Sequence, residues 1–217
     1  MAHQSKPRLT TILTTILTLP LLTTASPLFR NLSRQGQTCT QNSFHGLKWT
    51  VSNFLFTSSL TFASEKESDV TQGLASVSFN LTNSAIPSQL VNCYATSDKL
   101  TDFFYGDQLF QCQPPPEIEP TTNQLAEQSA SFKFDRKTGT ISLELDWSCH
   151  DGADARWPTT TFSAGGSTTV SLGSCTKLDQ KNPNWSSATK DQAYKTQHVD
   201  CAPLTFEVNP DEIESVA

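Results

Sequence analysis

Residues 130–149 read Ala-Ser-Phe-Lys-Phe-Asp-Arg-Lys-Thr-Gly-Thr-Ile-Ser-Leu-Glu-Leu-Asp-Trp-Ser-Cys. Ala130, Phe132 and Phe134 alternate with Ser131, Lys133 and Asp135. After the turn residues Arg136, Lys137, Thr138 and Gly139, Ile141, Leu143, Leu145, Trp147 and Cys149 resume the inward alternation, now on odd numbers. Side chains that change face at every step belong to strands with one buried side, and a short polar turn ending in glycine folds two of them into a hairpin. This stretch therefore predicts antiparallel β structure.

The alternation extends outward in both directions. Ala75, Val77, Phe79 and Leu81 share one face against Ser76, Ser78, Asn80 and Thr82. Trp49, Val51 and Asn53 alternate with Lys48, Thr50 and Ser52 ahead of the apolar Phe54-Leu55-Phe56, and Leu60 to Ala63 reads as a neighbouring strand. Val91, Cys93 and Ala95 alternate with Asn92, Tyr94 and Thr96, and Phe110 with Cys112 forms a short run after the Gly106-Asp107 turn. Thr168 to Cys175, Thr196 to Cys201 and Leu204 to Val208 complete the set, with Asp151-Gly152 and Gly165-Gly166 read as turns. Prolines at 114, 115, 116 and 120 exclude that segment from a central strand. No long window has helical apolar spacing. The expected class is all-β: a single antiparallel β-barrel or barrel-like sandwich, since closure removes exposed strand edges.

The N-terminus reads differently. Lys6 and Arg8 precede the uncharged run Leu9 to Leu22, which is shorter than the roughly 20 residues of a membrane-spanning helix, and Thr23 and Ala25 place small residues before a cleavage point. A signal peptide is expected at 1–25, a flexible leader at 26–38, one β domain at 39–210 and a C-terminal tail at 211–217. Six cysteines, Cys39, Cys93, Cys112, Cys149, Cys175 and Cys201, all follow the cleavage point, which argues for disulfides in a secreted, extracellular chain. Six cysteines allow 15 pairings. Sequons at Asn31, Asn80 and Asn184 are candidate glycosylation sites. His3, His45, His150 and His198 are scattered and no Cys-x-x-Cys exists, so neither metal nor cofactor is expected. A net charge of −6 offers no footprint for nucleic acid or acidic membranes.

Cys39, ten residues before Trp49, with Val51, Ser52 and Phe54, then Cys93-Tyr94-Ala95, Asp98-Lys99-Leu100 and Cys112 in order, resembles the major Alternaria allergen β-barrel family of secreted fungal proteins. Phe132-Lys133-Phe134, the Leu143 strand and the late Cys175 and Cys201 follow in similar order, while Cys149 and the stretch around Asn182-Pro183-Asn184-Trp185 look like additions to the family pattern. The resemblance implies Cys93 with Cys112 and Cys175 with Cys201, leaving Cys39 for Cys149. In the family's founding members the first cysteine links two subunits, so a monomer and a disulfide-linked dimer, with Cys149 then unpaired, are both open.

Candidate chemistry is sparse. Glu144 and Asp146 lie two apart on the outward hairpin face, and paired carboxylates are the groups that act on glycosides, yet an outward face lacks the apolar surroundings that raise an acid's pKa. His150 beside Asp151 sits at a turn, and no Gly-x-Ser-x-Gly elbow occurs. Catalytic residues are therefore expected to be none. Phe103-Phe104-Tyr105 is either an exposed anchor or a plug beneath a loop; these three and Trp185 form the candidate binding surface, with Trp157 a further aromatic among polar residues. The expectation is a non-enzymatic protein acting by binding. By resemblance it is a fungal effector, elicitor or allergen-like protein that meets a host extracellular protein or a small apolar ligand. The alternatives are a secreted hydrolase of wall polymers or small esters, and a structural wall component.

Overall fold

The computed structural model describes residues 38–114, 128–151, 159–186 and 192–216. The expected signal peptide, the leader with Asn31 as far as residue 37, the prolines after Pro114, Gly152 and Trp157 lie outside them. Helix α1 (Cys39–Phe44) precedes the strands β1 (Trp49–Phe62), β2 (Val70–Asn83), β3 (Leu90–Ser97), β4 (Phe110–Gln111), β5 (Gln128–Asp135), β6 (Thr140–Cys149), β7 (Thr160–Thr169), β8 (Cys175–Lys181), β9 (Lys195–Cys201), β10 (Leu204–Val208) and β11 (Glu212–Val216).

The strands form a six-stranded and a five-stranded antiparallel sheet. The first has the order β3-β2-β1-β9-β8, with β10 also on β1, and the second has the order β11-β7-β6-β5-β4. The two sheets do not close into a barrel; they make a barrel-like sandwich, joined along one seam where Asn92 pairs with Gln113. Strand β1 organises the larger sheet. It pairs with β2 from Trp49 to Phe62, and its other edge is shared by β10, opposite Trp49 to Phe54, and β9, opposite Thr57 to Phe62.

The interior is aromatic. Trp49, Phe54, Phe56, Phe79, Phe103, Phe132, Phe134, Trp147 and Phe162 are all buried, and each large apolar side chain taken from water contributes about 1.5–3 kcal/mol. Their rings meet across the sandwich: Phe79 is edge-on to Phe132 at 4.9 Å, and Phe54 to Phe134 at 5.5 Å. Such edge-to-face contacts bring the positive ring edge to the negative face.

Several expectations are corrected. Residues 54–62 belong to one strand with Trp49, not to two, and Ala63 lies just past its end. Trp49 and Val51 point inward on odd numbers and Phe54 and Phe56 on even ones, so the strand must change phase. It does so at a bulge where Asn53 is exposed, with φ 55°, a conformation asparagine tolerates better than most residues. Gly165 and Gly166 lie inside β7 rather than at a turn. A β-carbon on Gly166 would stand 2.6 Å from the Asn209 carbonyl oxygen, so glycine there admits the backbone that crosses from β10 to β11. Residues 168–175 are not one strand, because β7 and β8 belong to different sheets and 170–174 carries the chain between them. The tail expected at 211–217 instead forms β11 over Glu212–Val216, hydrogen-bonded along β7. Finally, α1 begins where only a leader and strands were expected. Thr38 and Gln41 cap it reciprocally, each side chain accepting the other's backbone N–H at 3.3 Å.

Candidate functional site

The connection from β3 to β4, residues 98–109, folds back over one end of the sandwich. Ser97 Oγ donates to the Phe103 carbonyl, Tyr105 Oη to the Leu100 carbonyl at 2.7 Å, and the Gly106 N–H to the Phe134 carbonyl at 2.9 Å. Thr101 and Phe103 hold φ of 86° and 62°, which costs about 1–3 kcal/mol each for such residues. That strain turns the Phe103 and Phe104 rings into the interior. The Arg136 guanidinium lies 4.9 Å from the Phe56 ring centre and 5.7 Å from that of Phe103. Phe103 and Phe104 are thus a core plug, which corrects their place in the candidate surface; only Tyr105 of the three is exposed. Trp185, in the turn between β8 and β9, is half-buried edge-on to Tyr194, with ring centres 5.0 Å apart.

Besides Tyr105 this loop exposes Leu109 and Leu100, and Leu100 shares a groove with Leu74 of the outer face of the six-stranded sheet. Two shallow grooves there share Ser59 and Leu74. One, of about 470 Å³, runs past Thr61, Gln72 and Leu100; the other, of about 220 Å³, runs past Tyr94, Thr96, His198 and Asp200. Leu74 is 56% exposed and Tyr94 62%, so a strip of apolar side chains crosses a field of hydroxyls. The strip was readable in principle. Leu74 has the parity of Ser76 and Ser78, an apolar residue on the watery side of its strand.

A third groove, of about 490 Å³, lies on the outer face of the other sheet and is lined by Glu144, Asp146, Glu212 and Glu214 with Ser129, Ser131 and Ser163. Both hairpin carboxylates are exposed; Glu144 meets Lys133 at 3.6 Å and Asp146 accepts from Ser129 at 3.1 Å. The sequence signalled the first two acids. The second two come from the strand expected to be a tail. Asp151, which follows His150 past the end of β6, turns to α1, where its Oδ2 accepts the Thr40 N–H at 3.0 Å. Burial pushes this carboxyl up, and the opposing hydrogen bonds from Thr40, Thr38 and the Cys39 backbone outweigh it, holding it below its ordinary value. Among the described residues no group of three or more His, Cys, Asp or Glu side chains is placed to hold a metal.

The cysteines pair within the chain as Cys39–Cys149, Cys93–Cys112 and Cys175–Cys201. The first ties α1 to the end of β6, the second crosses the seam between sheets, and the third links opposed positions of β8 and β9. Asn80 is half-buried on the outer side of β2, opposite Asn92, and Asn184 is exposed in the β8–β9 turn.

Fold and cross-links define a disulfide-stapled, aromatic-cored antiparallel β sandwich. The family model described as Alternaria alternata allergen 1 matches residues 51–201, from within β1 to the end of β9, and the chain belongs to that family. No curated protein and no solved structure matches it. Family and disulfides alike are consistent with an extracellular protein. Cys39 and α1 lie before the matched residues, β10 and β11 after them.

Proposed function

We propose that this chain is exported and works outside the cell as a non-enzymatic binding protein, in the manner of an allergen-like effector, by docking a host extracellular protein on the outer face of its six-stranded sheet. The observation that carries this reading is the strip Leu100, Leu74 and Tyr94, exposed beside two open grooves. Contiguous apolar surface rimmed by polar groups is what protein partners bury. A protein partner is preferred to a small apolar ligand because the space among Phe103, Phe104, Phe110 and Phe134 is filled by those rings. Catalysis is disfavoured because Glu144 and Asp146 are exposed on an open face lined mainly by serines and other acids, without an apolar pocket around either.

The test is a pull-down from host extracellular fluid with the correctly disulfide-bonded chain, beside Leu74→Glu and Tyr94→Ala. Both side chains are exposed, so the variants should fold. The expected result is a specific partner retained by the wild type and lost by both. Equal recovery with all three proteins, or turnover in a hydrolase panel that Glu144→Ala abolishes, would replace the reading with a different one.

A further inference from the structure

Strand β8 is the edge of the six-stranded sheet, and all seven of its residues are exposed. Its partner β9 covers one side only. The Asn182 N–H donates to the Tyr194 carbonyl at 2.8 Å, and the Ala202 N–H to the Ser174 carbonyl at 3.1 Å. With the register Thr176↔Asp200, Leu178↔His198 and Gln180↔Thr196, the even-numbered residues therefore bond inward. In an antiparallel ladder the alternate residues turn their N–H and C=O groups the other way. Those of Cys175, Lys177, Asp179 and Lys181 thus point out of the sheet, and among the described residues no strand lies against them.

We propose that this edge pairs with the same edge of a second copy, antiparallel and centred on Leu178. The sequence around that centre is self-complementary. A two-fold axis through the Leu178 pair sets Lys177 opposite Asp179 of the partner strand and Asp179 opposite its Lys177, on one face. On the other face it sets Leu178 against Leu178, and Thr176 against Gln180. The odd-numbered backbone groups are the free ones, so Lys177 and Asp179 form a hydrogen-bonded pair. The leucines fall on a non-hydrogen-bonded pair, where facing side chains come closest. Leu178 is 54% exposed in the single chain, and this pairing covers it. Lysines on an edge strand ordinarily deter such pairing. Here Lys177 meets a carboxylate, and Asp179 is presented by the Gln197 amide at 2.9 Å. The contact is isologous and closes at two copies. It uses none of Leu74, Tyr94 or Leu100, so it stands apart from the proposed function.

Sedimentation equilibrium of the disulfide-bonded chain at physiological salt tests it. The wild type is expected to form a concentration-dependent dimer that separates in denaturant without reductant. Lys177→Glu, which sets a carboxylate against the partner strand's Asp179 on both sides of the two-fold axis, should weaken it by roughly tenfold or more. Lys177→Pro removes an outward N–H that no partner within the chain uses and should do the same, with an unchanged unfolding midpoint. Should the proline variant not fold, Lys177→Glu alone decides. A wild type that stays monomeric at every concentration, or a dimer that neither substitution weakens, would overturn the proposal.

Discussion

The indole N–H of Trp147 donates to the hydroxyl of Ser43 at 2.9 Å, in a spot closed to water, and that hydroxyl in turn donates to the Cys39 carbonyl at 2.9 Å. A helix of only six residues could not persist alone. It is held by this bond, by the Cys39–Cys149 disulfide and by Phe44 edge-on to Phe162 at 5.2 Å. Ser43→Ala leaves the buried indole donor without its acceptor and should destabilise the fold by about 1–3 kcal/mol. Denaturant unfolding followed by tryptophan fluorescence checks this, and a loss below a few tenths of a kcal/mol would mean the indole finds another partner.

Asp151 makes the same junction sensitive to acid. Its carboxyl titrates below the ordinary value in the folded chain, so the unfolded chain binds the proton more readily and stability falls as pH drops. The contribution is present above the unfolded value, about 3.9, and is lost as pH falls through the folded value. Asp151→Asn should therefore be less stable than the wild type at neutral pH and nearly equal to it near pH 2. Unfolding midpoints measured at both pH values decide the matter; a gap that does not narrow in acid would assign the aspartate no electrostatic role.

At Gly166 the neighbours are backbone, with Asn209 O at 2.6 Å and Pro210 Cα at 3.0 Å from where a β-carbon would sit. Backbone cannot swing aside as a side-chain tip can. Gly166→Ala should cost about 1–3 kcal/mol by overpacking and should loosen β11 before the rest of the sheet. Amide hydrogen exchange at Glu214 and Val216, opposite Ser163 and Thr161 of β7, gives the readout.

Cys39 and Cys149 lie 110 residues apart in the chain, the largest separation of the three disulfides. Replacing both with serine restores that loop's freedom to the unfolded state and should cost about 4–5 kcal/mol on the loop-entropy account. Urea denaturation should move accordingly while far-ultraviolet circular dichroism keeps its β signature at low urea.

The core was readable wherever a strand buries one face throughout. The hairpin of β5 and β6 and the residues Ala75 to Leu81 carry strict alternation, and the interior uses those side chains. Phase changes and context were harder. The shift at Asn53 is visible only when Trp49 and Val51 are set beside Phe54 and Phe56 as one strand. The Gly165-Gly166 pair resembles a turn because its real cause, the chain at Asn209, lies far away in sequence. Strand β11 has no alternating signal, since all five residues are exposed; its place comes from hydrogen bonds to β7. The Thr38-Cys39-Thr40-Gln41 capping box was legible, but the helix is too short for apolar spacing to register. As for the candidate site, Phe103 and Phe104 read equally well as anchor or plug, because a loop residue's burial depends on what lies beneath it.

A ribosome delivers strand β1 ahead of the other strands described, yet half its hydrogen-bonding groups wait for residues 195–208. Until then it can zip only to β2, and its far edge stays open while residues 63–194 are made. Such deferred pairing makes for slow maturation. It also leaves a window in which a chaperone, or a neighbouring nascent chain, competes for that edge.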